Sequence, residues 1–301
     1  MMAFQLQSIS AAPGALAWVR AGRASRVLHV FSAVCNLIND QQDLLTLMLE
    51  PGPMDPFALL LAQPPSFAGF VEHIEAESII SLSPGRIRIG SLEVVVDEPL
   101  VWTSQPDWAS LRTGLHRKSH WIDLLEREVI RTRSAESLAA LIGNPHASWH
   151  GTRTPWWAMA AEPVRSLLDG IASRDGQILS EAAFRLAGLG PGLTPSGDDF
   201  LIGVMYAARI MLEPGEADAF CETIMHASVP RTGLFPAAHL TAASTGEASG
   251  HWHGLLAACL AGEDDGIYGA LDRLLAVGHT SGEDALSGFL LGIRAFHRRT
   301  D

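Results

Sequence analysis

One short pattern occurs twice in this sequence, and it constrains the fold more than any other feature. Ser196–Gly203 and Ser281–Gly288 both read Ser-Gly-acid-Asp-x-Leu-x-Gly, and the copies are 85 residues apart. A glycine inside a helix costs about 1 kcal/mol relative to alanine, so its use at the same place in both copies needs a structural reason. Close approach of two helix backbones supplies one. We therefore predict that these segments, the first and second signatures, begin two helices that cross at Gly203 and Gly288.

The two halves of the chain have different hydrophobic patterns. From Arg26 to Trp102, short apolar or β-branched runs alternate with turn-forming residues, which favours strands of an antiparallel sheet or a small barrel. Beyond Trp108, apolar residues recur in helix-length segments rich in Ala and Leu. We predict an α+β protein, with a β-rich sheet or small barrel in residues 1–105 and a mostly α-helical domain in residues 106–301.

The runs and periodic segments also give element boundaries. The predicted strands are Val27–Val34, Leu44–Leu49, Phe57–Leu61, Ile79–Leu82, Arg86–Ile89 and Leu92–Val96. The predicted helices are Ile122–Arg131, Ala135–Ile142, Pro163–Ala172, Glu181–Leu186, Asp198–Leu212, Glu216–Ala227, Ala237–Ala243, Gly254–Ala261, Ile267–Val277 and Glu283–His297. Both signatures therefore fall at predicted helix starts.

Composition argues against several classes of protein. Apolar residues make up 48% of the 301 residues and charged residues 18%, which is enough apolar material for a buried core. A formal charge of −12 without a Lys/Arg-rich stripe argues against nucleic acid as a partner. The N-terminus lacks a secretory pattern, and the long apolar stretch Phe200–Leu212 is broken by Arg209, so we expect no membrane span. Three cysteines without metal-ligand spacing fit a reducing compartment, so we expect a cytoplasmic protein.

The residues around the signatures predict a site for an anion. A glycine-dense loop, Gly188–Gly192, precedes the first signature. If the two helices cross near their starts, their unpaired N–H groups converge on one point, where small residues and hydroxyls allow close contact with an anion. The candidate binding residues are Gly190, Gly192, Thr194, Ser196, Gly197, Thr280, Ser281 and Gly282.

Four acidic residues in the helix starts have two interpretations. In a capping box, the serine of each signature and the aspartate three residues later satisfy the helix N-terminus, and no ligand is required. As metal ligands, the acids would hold Mg²⁺, which would bridge them to the anion. The residues concerned are Asp198, Asp199, Glu283 and Asp284.

His279 is the candidate catalytic residue of this site. It directly precedes Thr280 and the second signature, so it would stand at the entrance to the site. Imidazole is the side chain best suited to proton transfer near neutral pH. We therefore predict that His279 carries a proton in any reaction at the site.

The two signatures in their sequence context resemble a known family. The run Gly188–Gly203, followed by Gly278–Gly288, looks like the hallmark of the oxamate carbamoyltransferase AllH-like subunit family, and the resemblance extends to the region around Val30–Asn39. It implies a subunit of an enzyme of anaerobic allantoin and purine breakdown, in which a carbamoyl group passes between oxamate and phosphate to give carbamoyl phosphate. It also implies companion subunits and a small anionic substrate such as carbamoyl phosphate, phosphate or an oxamate-like carboxylate.

Three functions remain compatible with the residues. The first is a carbamoyltransferase subunit that orients its reactants, stabilises charge on oxygen and acts only with its partners. The second is a non-catalytic ligand-binding or scaffold subunit, in which the acids only cap two crossed helices. The third is a Mg-dependent phosphotransferase with the metal at Asp198 and Asp199. A P-loop is excluded, because Asp198-Asp199 stands where that motif requires Lys-Ser/Thr.

Overall fold

The structure is a computed structural model, and it describes residues 4–115, 120–132, 134–142 and 156–298. The chain divides into two compact units. The first unit comprises Met1–Ser104 and Ala248–Gly250, and the second comprises Gln105–Glu247 and His251–Asp301. Together they give an α+β protein, as predicted, with the strands in the first unit and most of the helices in the second.

The first unit is built on a nine-stranded, nearly closed sheet. Its strands are β1 (Phe4–Ala11), β2 (Ser25–Val30), β3 (Val34–Asn39), β4 (Leu44–Leu49), β5 (Ala58–Leu61), β6 (Ile80–Ser83), β7 (Arg86–Ile89), β8 (Leu92–Val95) and β9 (Leu100–Val101). Their order is β2-β3-β4-β5-β1-β8-β7-β6, with β9 paired to β1. Contacts between β2 and β6 bring the two ends of this order together. Helix α1 (Pro13–Ala21) contributes Trp18 to the hydrophobic core of the sheet.

Strand β1 organises this sheet, although the sequence patterns did not reveal it. It runs parallel to β8 and β9 and antiparallel to β5, with an irregularity between Ser8 and Ser10. Strands β4 and β5 are also parallel. The sheet is therefore mixed rather than antiparallel, and its near closure agrees with the small barrel that was the other predicted alternative. Parallel neighbours are joined by crossovers, so their pairing leaves no local turn signal for the sequence to show.

The described part of the second unit is helical. Its helices are α2 (Trp108–Leu115), α3 (His120–Thr132), α4 (Trp157–Ser173), α5 (Gly176–Leu186), α6 (Ser196–Met211), α7 (Pro214–Ser228), α8 (Leu234–Ser244), α9 (Gly250–Ala261), α10 (Asp264–Leu275) and α11 (Ser281–His297). Helices α6 and α11, which begin with the two signatures, are buried over most of their length. No helix within the described ranges is both long and apolar enough to cross a membrane.

The helix predicted at Ala135–Ile142 is wrong. Only a short 3₁₀ turn, Leu138–Leu141, forms there, and the Ser137 hydroxyl accepts from the Ala139 N–H at its start. The N–H groups of Leu138 in the segment and of Ser134 just before it bind carboxylates of the second signature instead of helical carbonyls. Tertiary hydrogen bonds therefore replace the helical ones that the local sequence favoured.

Candidate functional site

Helices α6 and α11 cross at the glycines of the two signatures. A Cβ added to Gly203 would lie 1.8 Å from the carbonyl oxygen of Ala285, and one added to Gly288 would lie 1.9 Å from the carbonyl oxygen of Phe200. These distances leave no room for any side chain, so the two backbones are in direct contact. The predicted crossing is confirmed, and it explains the cost of glycine in both helices.

The two contacts at the crossing are equivalent. Ala285 follows Phe200 by 85 residues, and Gly288 follows Gly203 by the same number. Exchanging α6 and α11 therefore turns each glycine contact into the other. The two signatures therefore make reciprocal contacts at the crossing, which we call their two-fold relationship.

The glycine after each serine also packs on backbone. A Cβ added to Gly197 would lie 2.0 Å from the carbonyl oxygen of Leu186, the last residue of α5. A Cβ added to Gly282 would lie 2.0 Å from the carbonyl oxygen of Leu274 near the end of α10. Each signature helix therefore starts against the end of the preceding helix, and only glycine fits at that contact.

The N–H groups proposed to bind the anion fall into two sets. Those of Gly197 and Gly282 donate to backbone carbonyl oxygens at 2.9 and 3.2 Å, so they are used within the protein. In the part of the chain that the structure describes, the N–H groups of Gly190, Gly192 and Thr194 have no hydrogen-bond acceptor. Gly190 and Gly192 have φ values of +114° and +101°, which L side chains rarely adopt. The loop before α6 is thus the part of the predicted cradle with free donors.

Thr194 and Ser281 bring the two signature regions together at the surface. Their hydroxyl oxygens lie 2.8 Å apart in a hydrogen bond, and both residues are partly exposed. Thr280, the N-cap of α11, is also partly exposed, whereas Ser196 is only 1% exposed. Of the four predicted hydroxyl donors, the structure therefore joins Thr194 and Ser281 directly and places Ser196 in the interior.

Each signature places its second acid beside the serine of the other signature. Burial raises the pKa of Asp199 well above its usual 3.8, although the nearby Ser281 hydroxyl lowers it. Burial raises the pKa of Asp284 to about 6, against a lowering effect of the Ser196 hydroxyl. Ser196 is close enough to affect Asp284, but its hydroxyl does not reach hydrogen-bond geometry. Among the described residues, the buried Oδ2 atoms of Asp199 and Asp284 have no hydrogen-bond partner either.

The capping-box interpretation of these acids is wrong. Helix α6 has Pro195 at its N-cap, α11 has Thr280, and neither start has a side-chain capping hydrogen bond. Asp198 instead binds outside its own helix: its Oδ1 accepts from the Gly188 N–H at 3.0 Å, and its Oδ2 accepts from the Thr232 hydroxyl. It fastens the glycine loop and the entry to α8 to the start of α6.

The acids of the second signature hold the segment Ser134–Leu138, which we call the strap. Glu283 Oε2 accepts from the Ser134 N–H at 2.8 Å, and Asp284 Oδ1 accepts from the Leu138 N–H at 2.6 Å. Both acids are at most 9% exposed. The strap therefore lies against the start of α11.

The predicted catalytic residue, His279, lies at the surface. Its side chain is 81% exposed, and its Nε2 lies 3.2 Å from Oε2 of Glu136 in the strap. His279 is therefore tied to the same strap that Glu283 and Asp284 bind. Its proposed catalytic role stays a prediction.

Metal coordination gains no support from this geometry. In the described ranges, no group of three or more His, Cys, Asp or Glu side chains is arranged to hold a metal ion. Asp198, Glu283 and Asp284 each use a carboxylate oxygen to accept a hydrogen bond from another segment. We therefore do not propose Mg²⁺ as a cofactor.

Three partners of the signatures were missed at the sequence level. They are the N–H groups of Ser134 and Leu138 in the strap and the hydroxyl of Thr232. The strap residues carry no local signal, because a backbone N–H is present at every position except proline. Thr232 lies at a helix entry after Pro230, and that is the one feature that could have drawn attention to it.

Comparison with known proteins agrees with the residues that build the crossing. The family model described as oxamate carbamoyltransferase subunit AllH matches residues 186–293. The matched segment runs from the end of α5 into α11, so it contains both signatures and their four glycines that pack on backbone. No curated protein and no solved structure gives a significant match. The family match confirms the resemblance carried by the two signatures and supports the assignment of this chain to the AllH-like family.

Proposed function

We propose that this chain is a subunit of a carbamoyltransferase of the oxamate carbamoyltransferase type, and that it binds a small anionic substrate where the two signatures meet. The hydrogen bond between Thr194 and Ser281 carries this proposal, because it joins the two signature regions in a partly exposed position. The description of the matching family, a subunit of such an enzyme, gives the reaction.

The donors at this position suit an oxyanion. The free N–H groups of Gly190, Gly192 and Thr194 can donate to a phosphate or carboxylate oxygen, and so can the one hydroxyl of the Thr194–Ser281 pair whose hydrogen is not used in their mutual bond. Oxamate, phosphate and carbamoyl phosphate all carry such oxygens. A loop whose glycines take positive φ values can bring successive N–H groups close to an anion.

The backbone of Arg231 lies beside the same loop. The carbonyl oxygen of Arg231 would be 2.7 Å from a Cβ on Gly188, so the backbone of Arg231 packs on the loop. Its guanidinium lies over the ring of Phe184, with 4.5 Å between the guanidinium carbon and the ring centroid. We propose that this charge offsets the repulsion between an anionic ligand and the acids of the signatures.

Carbamoyl transfer places modest chemical demands on the protein. Holding the carbamoyl group and its acceptor in line, and donating hydrogen bonds to the oxygen that gains charge, supplies much of the catalysis. We assign the charge stabilisation to the loop N–H groups and the two hydroxyls. His279 remains our candidate for proton transfer, since it lies one residue before the N-cap of α11.

The proposal includes companion subunits and a reducing compartment. The family description names one subunit of an enzyme, so we propose that activity requires the other chains. Cys35, Cys221 and Cys259 are all free and buried, which fits the cytoplasm as the proposed location.

A non-catalytic ligand-binding or scaffold subunit is the second candidate. The observation that favours it is the structural use of three signature acids, Asp198, Glu283 and Asp284, which fasten other segments to the helix starts. On this alternative, amide replacements of these acids change stability, and binding a ligand has no catalytic consequence. Assay of the chain together with its companion subunits separates the two candidates.

Calorimetry and thermal unfolding test the proposed site. The full chain is titrated with oxamate, phosphate and carbamoyl phosphate as wild type, Thr194→Val and Ser281→Ala, because a ligand that binds only the folded protein raises its melting temperature. Loss of one hydrogen bond to an anion costs about 1.5–3 kcal/mol, so we expect each variant to bind roughly 10- to 100-fold more weakly.

A matched control is available on another helix. Thr223 is an exposed threonine of α7 whose hydroxyl donates to the Ala219 carbonyl at 2.9 Å, so Thr223→Val removes a similar group far along the chain from either signature. We expect this variant to bind all three anions like the wild type. Equal affinities in the wild type and both site variants, or no binding by the wild type, would refute the proposed site.

A further inference from the structure

The two buried aspartates at the crossing occupy equivalent positions but have different partners. Asp284 Oδ1 accepts from the Leu138 N–H of the strap at 2.6 Å. No backbone N–H from any described residue donates to the side chain of Asp199, which precedes Asp284 by 85 residues. Asp284 is fully buried, whereas Asp199 is 8% exposed. The two-fold relationship is therefore broken at one point, where a backbone N–H of the strap binds one aspartate and no described backbone N–H binds the other.

The surroundings of Asp199 supply a second and independent observation. Its Oδ2, like that of Asp284, is buried and lacks a hydrogen-bond partner among the described residues. Leaving a buried polar atom unpaired costs about 1–3 kcal/mol, so native structures rarely do so without a functional reason. Thr194 and Ser281, the partly exposed hydroxyl pair of the proposed site, lie beside this carboxyl. Asp199 thus adjoins the position where we place the ligand.

We propose that Asp199 accepts an N–H group of the ligand, in the place equivalent to that of the Leu138 N–H on Asp284. The ligand class is a small carboxylate or acyl phosphate that carries a primary amide or carbamoyl group. This inference rests on the proposed function and extends it. It adds a hydrogen-bond acceptor, Asp199, to a site for which only hydrogen-bond donors have been proposed.

The chemistry of the two sides matches such a ligand. A primary amide nitrogen has two N–H donors, and a carboxyl oxygen of Asp199 that carries no proton can accept from one of them. The loop N–H groups and the remaining hydroxyl hydrogen of the Thr194–Ser281 pair can donate to the carbonyl and carboxylate oxygens at the other end of the ligand. A dicarboxylate of the same shape has no N–H, and it would set an oxygen against Asp199.

Oxamate and oxalate provide the direct comparison, since they differ in an amide group against a carboxylate group. We measure their affinities for the full chain at pH 7 by calorimetry. A site built only for negative charge prefers the dianion oxalate. The inference predicts the opposite, with oxamate bound at least about 10-fold more tightly, because a polar site rejects an analogue that leaves its buried groups unpaired. N,N-dimethyloxamate, which lacks the N–H groups, is expected to bind as weakly as oxalate or more weakly.

The two-fold relationship provides a matched pair of variants. Asp199→Asn keeps one acceptor oxygen but adds an NH₂ group that can donate to a carboxylate oxygen of oxalate, so it should remove or reverse the preference for oxamate over oxalate. Asp284→Asn makes the same change at the equivalent position, where the amide oxygen can still accept from Leu138, and it should leave the preference unchanged. The comparison of the two variants isolates the role of Asp199 from the general effect of neutralising a buried acid.

Each outcome decides the inference. A preference that shifts in Asp199→Asn and not in Asp284→Asn supports it. If both anions bind and the preference is the same in the wild type and Asp199→Asn, or shifts equally in both variants, the inference fails while the proposed function stands. If the wild type binds neither anion, both fail. If Asp199→Asn does not fold, the wild type decides, and equal or tighter binding of oxalate overturns the inference.

Discussion

Gly203 of α6 and Ala285 of α11 touch backbone to backbone: a Cβ on Gly203 would stand 1.8 Å from the Ala285 carbonyl oxygen. The equivalent contact joins Gly288 to Phe200. Gly288 follows Gly203 by 85 residues, and Ala285 follows Phe200 by the same number. These two contacts fix the distance between the helix starts. The meeting of Thr194 with Ser281 and the crossed placement of Asp199 and Asp284 depend on that distance.

Alanine at either crossing glycine should separate the helices. In Gly203→Ala and Gly288→Ala the new methyl group meets a backbone carbonyl, which cannot rotate away, and we expect a loss of about 1–3 kcal/mol or more in the free energy of unfolding. Urea unfolding followed by circular dichroism measures the loss. Gly254→Ala in α9 is the control, since a Cβ there meets nothing within 4 Å, and it should be neutral or stabilising by up to about 1 kcal/mol. Three variants of equal stability would argue against the crossing.

Asp284 should make the stability of the protein depend on pH in a defined direction. Its pKa is raised by burial from 3.8 to about 6, so the ionised form is less favourable in the folded protein than in the unfolded chain. The stability gained from the protonated form is fully present below pH 4 and is lost as the pH rises through about 6. Asp284→Asn cannot ionise, and its amide oxygen can still accept from Leu138.

The difference between wild type and Asp284→Asn isolates this effect from other titrations. Between pH 4 and pH 7, the free energy of unfolding of the wild type should fall by up to about 3 kcal/mol more than that of the variant. A pKa raised by one unit corresponds to about 1.4 kcal/mol. Unfolding curves at both pH values measure it. A difference that does not change with pH, or that changes in favour of the wild type, would contradict the burial of an ionisable Asp284.

Thr232→Val should weaken the attachment of the glycine loop. The Thr232 hydroxyl donates to Oδ2 of Asp198, a residue without measurable exposure, and its removal leaves a buried carboxyl oxygen unpaired. We expect a loss of about 1–3 kcal/mol in the free energy of unfolding. Thr241→Val is the control, because the Thr241 hydroxyl is exposed and donates to the Ala237 carbonyl of its own helix. Similar losses in both variants would show that the hydrogen bond to Asp198 contributes no more to stability than that of an exposed threonine.

His279→Gln tests the proposed proton transfer. In the enzyme assembled with its companion subunits, loss of a general acid or base should lower kcat by about 100- to 10,000-fold with little change in substrate binding. His120→Gln is matched closely, since His120 is an exposed histidine that lies 3.2 Å from Asp264, the same distance as His279 from Glu136. A kcat within about threefold of the wild type in both variants would remove His279 from the mechanism.

The sequence predicted those parts of the fold whose cause is local. The strands Leu44–Leu49 and Arg86–Ile89 have the predicted boundaries, because apolar runs bounded by turn formers specify both ends. The crossing of α6 and α11 was also predictable, since a costly glycine repeated at one position in two helices implies a contact. Strand β1 was not, because its parallel pairing with β8 depends on the path of the chain between them.

In the candidate site, too, the sequence predicted the features with a local cause and not those that depend on distant segments. Thr194 and Ser281 could be predicted to meet. Thr194 lies just before α6 and Ser281 begins α11, and the repeated glycines imply that these two helices cross. The uses of Asp198, Glu283 and Asp284 could not, because their partners are backbone N–H groups of segments that bear no pattern. The exposure of His279 and the burial of Ser196 likewise follow from packing that the signatures do not encode.

A double-mutant cycle on Thr194 and Ser281 tests most directly whether the two signatures form one site. Oxamate affinity is measured by calorimetry for the wild type, Thr194→Val, Ser281→Ala and the double variant. Because the two hydroxyls are 2.8 Å apart and would share one ligand, we predict that the double variant loses little more affinity than either single variant. Free-energy losses that add to within about 0.5 kcal/mol, or no loss in any variant, would contradict a shared site.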